Sequence, residues 1–349
     1  MISIAIEKRN RRQVMQGGAA VLATLAFGGR AQAQTKYQWG VGSVDPFFSC
    51  CYVTLKKGYF KDQGIDIEYM NSQSGPRTKQ MLAAGQLLVG TSGANDPMTI
   101  TLAGKPATLI FGLDRKITYA NMLVHKDNYD SGKYRSLKDL GGTRIAVTQP
   151  QSATWLMAVF MIEHAGVKQP VDIRGLGDLA TMLGALKSKQ VAASVATMGM
   201  MEQAVHEGWG VPIFDVTDDK AWSEIFGGDV PGLGAYVMED SISKRPKELQ
   251  AFVTAMCKGQ DFLNSNSPEA IVDLIREDYL SSFPAESLRK TIAVYKDKIW
   301  KKDNLIGKEE YQRLTGIMGG GRQFSDEEMK KVPYEQAVNM SFVKKARNL

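Results

Sequence analysis

The sequence predicts an α/β chain folded as two lobes around a shared cleft, followed by a helical C-terminal region. Three observations predict it. Strand-like and helix-like segments alternate from residue 37 to residue 195 with short connections, the order that builds parallel sheets covered by helices. The layout of residues 80–93 (QMLAAGQLLVGTSG), a helix end, a short buried strand and a small polar loop, returns at 184–197 (GALKSKQVAASVAT), so the two lobes are expected to be alike. Beyond Glu239 the apolar spacing is helical, over 246–264, 268–279, 285–300 and 308–318.

The elements follow in order. Residues 37–42 (YQWGVG) alternate as a first strand, and 43–49 form a loop carrying Phe47 and Phe48. A helix is expected over 50–60, a strand over 65–69, a helix opened by Pro76 and closed by Gly85, and a strand over 87–90 that leads into a second polar loop at Ser92. Asp96-Pro97 reads as a cap with proline in the first helical position, in a helix ended by Gly104. Strands are expected over 108–112 and 119–125. The polar stretch 126–140 then carries the chain into the second lobe. There, strands over 144–148, 171–176 and 191–195 alternate with helices over 152–166 and 178–187, and 196–199 is a loop. The chain returns near 233–239. The expected division is therefore 34–125 with 236–349 in the first lobe and 126–235 in the second.

Composition narrows the function. With 349 residues, 44% of them apolar, the chain can bury the cores of two domains. Its net charge is +6, but five basic residues and one acid precede Gln34, and the remainder carries 38 basic and 36 acidic residues, or +2. No nucleic-acid partner is expected from so small an excess. Residues 1–33 read as an export signal: a basic region ending in Arg11-Arg12, an apolar run over 19–27, and Ala31-Gln32-Ala33 at a cleavage site near Ala33. The run is too short to anchor the chain across a bilayer. Export by the twin-arginine or the Sec route would place a soluble, monomeric protein in the periplasm.

No catalytic apparatus is evident. The three histidines, His125, His164 and His206, are far apart and match no metal spacing or triad, so neither a metal nor another cofactor is expected. The three cysteines cannot all pair within one molecule, and adjacent Cys50 and Cys51 would bridge only with strain. A thiolate there would need a basic neighbour, and only Lys56 and Lys57 follow. Small buried hydrophobes are the expectation for both.

Several fragments carry a resemblance. Lys57-Gly58-Tyr59-Phe60 with Gly64-Ile65-Asp66-Ile67, the helix end 80–85 (QMLAAG), the entry 136–142 (SLKDLGG) and the tail 332–344 (VPYEQAVNMSFVK) stand in the order found in the substrate-binding proteins of ABC importers. Together they cover the whole mature chain, which resembles the nitrate, sulfonate, taurine and thiamine-precursor group, the NMT1/THI5-like proteins. The resemblance implies a type II periplasmic-binding-protein fold, two α/β lobes joined by two crossover segments. It implies no enzyme activity, a small-molecule ligand and an ABC permease in the cytoplasmic membrane as partner. The departures fall near the cleft: Gln149-Pro150-Gln151 where the group has small glycine-rich residues, and 189–193 (KQVAA) where it has an acidic residue. An alternative within the same resemblance is a thiamine-pyrimidine-precursor binding protein or a pyrimidine synthase.

The cleft residues follow from this layout. Amides at the helix starts near Arg77, Thr99 and Ala153, with the hydroxyls of Ser74, Ser92 and Ser152, suit an anionic group. Ser43, Gly75, Gly93, Asn95 and Gln149 lie in the same loops. Arg115 either clamps a carboxylate or sulfonate or pairs with Asp114 at the surface. Phe47, Phe48 and Trp155 form an aromatic wall or pack in the core. Met198, beside Met200 and Met201, is a pocket wall or core filler. Asp96 either caps its helix or, lining the cleft, would favour an amine. The expected ligand is a small aromatic or alkyl carboxylate or sulfonate.

Overall fold

The computed structural model describes residues 36–349; the expected export signal and its cleavage site lie outside the described residues. Two five-stranded sheets organise the chain. The first has the order β2-β1-β3-β10-β4, built from β1 (Lys36–Val41), β2 (Asp66–Asn71), β3 (Val89–Gly93), β4 (Ala107–Gly112) and β10 (Leu233–Met238). The second has the order β7-β6-β8-β5-β9, from β5 (Asn121–His125), β6 (Arg144–Val147), β7 (Asp172–Gly175), β8 (Ala193–Ala196) and β9 (Gly210–Phe214).

The two orders are the same pattern. In each, three parallel strands are followed by one antiparallel strand and an edge strand. The antiparallel strand is the one that arrives from the other lobe. The first crossing, 113–120, leaves the end of β4, and β5 then starts where β8 ends, Asn121 facing Ala196. The second, 215–232, leaves the end of β9, and β10 starts where β3 ends, with Leu233 facing Gly93. A chain that enters a sheet at the ends of its parallel strands can only run back against them. The repeat at 80–93 and 184–197 holds β3 and β8, the middle strands of the two sheets.

Two boundaries of the expected lobes move accordingly. Residues 121–125 pair in the second sheet, not the first, and 233–238 pair wholly in the first. The polar stretch after His125 is a short helix, Lys126–Asp130, and a surface loop inside the second lobe.

Local chemistry explains the smaller shifts. The helix expected over 50–60 is two pieces, Ser49–Lys56 and Tyr59–Asp62, because Gly58 sits at φ +71° and ends the first. Ser92 lies in β3 and not in a loop, since this middle strand takes its backbone partners from β1 and β10. Met198–His206 is a helix where a loop was expected, opened by Thr197, whose Oγ1 accepts from Met200 N. Trp39 anchors the first lobe, edge-on to Phe60, Tyr69 and Phe252 and donating from Nε1 to Thr91 Oγ1 at 2.8 Å. The C-terminal helices Pro246–Ser265, Pro268–Tyr279, Ala285–Val294 and Lys308–Met318 match the expected spans closely, the third passing into a π turn over Tyr295–Ile299.

Candidate functional site

The strand ends of both sheets border one cleft. The first lobe contributes Gly42, Ser43, Phe47, Phe48, Ser74, Gly75, Ser92 and Gly93. The second contributes Thr148, Ser152, Ala153, Thr154, Leu179 and Thr197, while the first crossing adds Tyr119 and the start of β10 adds Leu233. Among the described residues no charged side chain lines it.

Four helices of nine residues or more begin here; one, Leu179–Lys187, opens at the cleft-lining Leu179 behind an Asp178 cap, and hydroxyls cap the other three. Ser74, Ser152 and Thr197 cap the helices Gly75–Ala83, Ala153–His164 and Met198–His206, accepting from the amides of Arg77, Trp155 and Met200 at 3.4, 3.2 and 3.1 Å. Each cap satisfies one amide and leaves the positive end of the helix facing the cleft. Thr148, Ser152 and Thr154 bond one another at 2.9 Å in a ring of three hydroxyls.

The apolar wall rests on a short turn. Asp45 accepts from Phe47 N at 3.1 Å and starts the 3-10 turn Pro46–Phe48. On a strand, neighbouring phenylalanines would face opposite ways. In this tight turn both are buried and both line the cleft, their rings 4.4 Å apart.

Two buried carboxylates stand behind the lining. Asp45 Oδ2 accepts from Thr197 Oγ1 at 2.5 Å, joining the lobes, and burial pushes its carboxyl up to about 7 against the opposing effect of the Thr197 and Phe47 bonds. Asp96 is not the cap of its helix. It lies in the first turn of Asp96–Leu102, after Asn95, and its side chain turns back. There Oδ2 accepts from Ser92 Oγ at 2.5 Å and Oδ1 lies 3.1 Å from Lys79 Nζ.

Eight of the fourteen expected site residues therefore line the cleft: Ser43, Phe47, Phe48, Ser74, Gly75, Ser92, Gly93 and Ser152. Six do not. Arg115 is exposed and held by Asp229, Nε to Oδ2 at 3.0 Å and Nη2 to Oδ1 at 2.9 Å, a pairing with neither a ligand nor Asp114. Arg77 points outward to Gln73. Trp155 is half-buried against the core, and Met198 is core beyond Thr197. Gln149 sits in the loop after β6 without lining the cleft, and Asn95 lies behind Gly93. Thr148, Thr154 and Thr197 were legible as hydroxyls beside the expected residues. Tyr119 was missed because the first crossing was placed after His125; Leu233 lay within the expected return of the chain but was not named as a site residue. Burial pushes the thiols of Cys50 and Cys51 upward, as expected of core residues. Among the described residues no group of three His, Cys, Asp or Glu side chains is placed to hold a metal, and no helix is long and apolar enough to cross a membrane.

Paired sheets with a swapped antiparallel strand, and a cleft at the crossings, define the type II periplasmic-binding-protein fold. The chain belongs to the NMT1/THI5-like family, which matches residues 45–270. It is similar to the ligand-binding component of an ABC-type import system from Staphylococcus aureus, solved with zinc bound (TM-score 0.68, 13% identity, 90% of this chain and 99% of that one). It is also similar to the alkanesulfonate-binding protein SsuA from Xanthomonas axonopodis pv. citri bound to MOPS (TM-score 0.66, 14% identity, 82% and 93%). In sequence it is 23% identical to the formylaminopyrimidine-binding protein of Halalkalibacterium halodurans, over 80% of this chain and 81% of that one.

Proposed function

We propose that this protein is the exported solute-binding component of an ABC importer, capturing a small organic anion with an apolar body and delivering it to a membrane permease. The observation that carries the reading is the meeting of three hydroxyl-capped helix starts, from both lobes, on a hydroxyl-lined cleft walled by Phe47 and Phe48. Oriented amides and hydroxyls hold an anion by charge-assisted bonds without a cationic side chain, and closure of the lobes strengthens those bonds by excluding water. Family membership and the import-system and alkanesulfonate-binding neighbours support the same class. The protein acts as a monomer, without a cofactor and without catalysis.

A second reading, a pyrimidine precursor as ligand, is favoured by the absence of charge on the lining and by the formylaminopyrimidine-binding relative. Thermal unfolding of the mature chain against carboxylates, sulfonates, nitrate, amines and pyrimidines tests both. A ligand at ~100 times its dissociation constant adds about 2.7 kcal/mol. Stabilisation by pyrimidines alone overturns the anion reading, and turnover of any of them overturns the transport reading.

A further inference from the structure

The protons at the floor of this cleft are already spent. Ser92 has one hydroxyl hydrogen, and it goes to Asp96 Oδ2, whose other oxygen lies 3.1 Å from Lys79 Nζ. The Tyr236 hydroxyl, 2.7 Å from Ser92 Oγ, must then be the donor in that pair. One lone pair of Ser92 Oγ is left, and no hydrogen.

Asn95, 1% exposed, is oriented by a chain of bonds from the mouth of the cleft. The Gln151 carbonyl accepts from Gln323 Nε2 at 3.2 Å. That turns Gln323 Oε1 towards Asn95, where it accepts from Nδ2 at 3.3 Å. Asn95 Oδ1 is thereby turned inward, and it is buried without a hydrogen-bond partner. It lies 2.4 Å from where a Cβ on Gly93 would stand, and Asp96 Oδ2 lies 2.8 Å from the corresponding point on Gly75. Both glycines line the cleft. Lys79, the cation behind this floor, is engaged by Asp96 and by the Gln151 carbonyl at 3.4 Å.

The side chains of the floor, Ser92 and Asn95, thus offer acceptors only. We infer that the bound solute carries an N–H donor group, an amine, an amide or an amino-heterocycle, directed at Ser92 Oγ on the lining and, over the bare Cα of Gly93, at Asn95 Oδ1 just behind it. A ligand without such a group leaves a buried acceptor unsatisfied, which is costly. The inference rests on the proposed solute-binding role of this cleft and adds a second end to the ligand. The anionic end goes to the Ser152–Ala153 helix start and the hydroxyl ring. The N–H end goes to the first lobe, where the Gly75 helix start already has the Asp96 carboxylate against it.

Matched probes test it in the mature full chain by calorimetry: 4-aminobenzoate against benzoate, taurine against ethanesulfonate, and 2-aminopyrimidine against pyrimidine. The expected result is that, in each pair that binds, the N–H member binds at least ~5-fold tighter. Ser92→Ala should remove most of that preference, read as the ratio of affinities within each pair. Asn95→Leu, which deletes the second acceptor, should do the same and serves if Ser92→Ala folds poorly. Equal binding within pairs, or a preference unchanged in both variants, overturns the donor requirement and leaves the anion reading standing. Preference for 2-aminopyrimidine while neither acid pair binds supports the donor requirement and overturns the anionic ligand class. Failure of all six probes to bind overturns both.

Discussion

Thr197 donates its hydroxyl to Asp45 Oδ2 at 2.5 Å, a bond between the loop after β1 in one lobe and the helix cap after β8 in the other. The same threonine accepts from Met200 N, so one side chain both starts a helix and joins the lobes. Thr197→Val should therefore cost about 1–3 kcal/mol in thermal or denaturant unfolding, since it strips a cap and leaves a buried carboxylate short of a donor. Ligand affinity should fall with it. Unchanged stability would mean that the bond does not contribute to the closed arrangement.

Asp45 and Asp114 predict a pH dependence. Burial pushes the first up to about 7 and the second up to about 8, although Asp114 accepts from Gly232 N and Leu233 N at the second crossing. Unfolded aspartates titrate near ~4. Between about pH 4 and pH 8 the folded chain holds protons that the unfolded chain releases, so the contribution of these groups to stability falls as pH rises through that window. The denaturant midpoint should be lower at pH 8 than at pH 5. Asp114→Asn, which keeps the Oδ1 acceptor, should flatten the slope.

A Cβ at Gly93 would stand 2.4 Å from Asn95 Oδ1 and 3.0 Å from the Cβ of Ala153 in the opposite lobe. Gly93→Ala is expected to cost about 1–3 kcal/mol of stability by overpacking. It should also weaken ligand binding more than ~10-fold, because the contact lies where the lobes meet. Equilibrium unfolding and calorimetry on the same preparation separate the two effects.

Arg115 should prove dispensable. Its exposed pair with Asp229 is the kind of surface ion pair that contributes under ~1 kcal/mol. Arg115→Ala is expected to leave ligand affinity within about 2-fold, and a larger loss in a binding titration would return Arg115 to the cleft.

Much of the fold was legible because it rests on local patterns. The alternation of strands and helices, the glycine and proline stops, and the repeat at 80–93 and 184–197 each report on short stretches of chain. Ser74, Ser92 and Ser152 were legible for the same reason, as small polar residues at strand ends. Residues 121–125 and 233–238 were harder to assign, because a buried strand has the same composition in either sheet and only pairing decides which one it joins. Tyr119, between β4 and β5, reached the cleft unannounced, tied to the Gly232 carbonyl at 2.8 Å across the two crossings.

By itself the sequence determined an α/β protein of two similar lobes with hydroxyl-bearing loops at the strand ends, since propensity, periodicity and capping act within a few residues. Only the tertiary structure decided the charge and proton state of the cleft. Arg115, named from its position after a strand, is taken by Asp229, more than a hundred residues away in the chain. Asp96, read as a local cap, is bound to Ser92 and Lys79, and through them shapes what the cleft floor can accept. Such bonds join distant residues whose identities are compatible with many partners, and the packing of the two lobes selects among them.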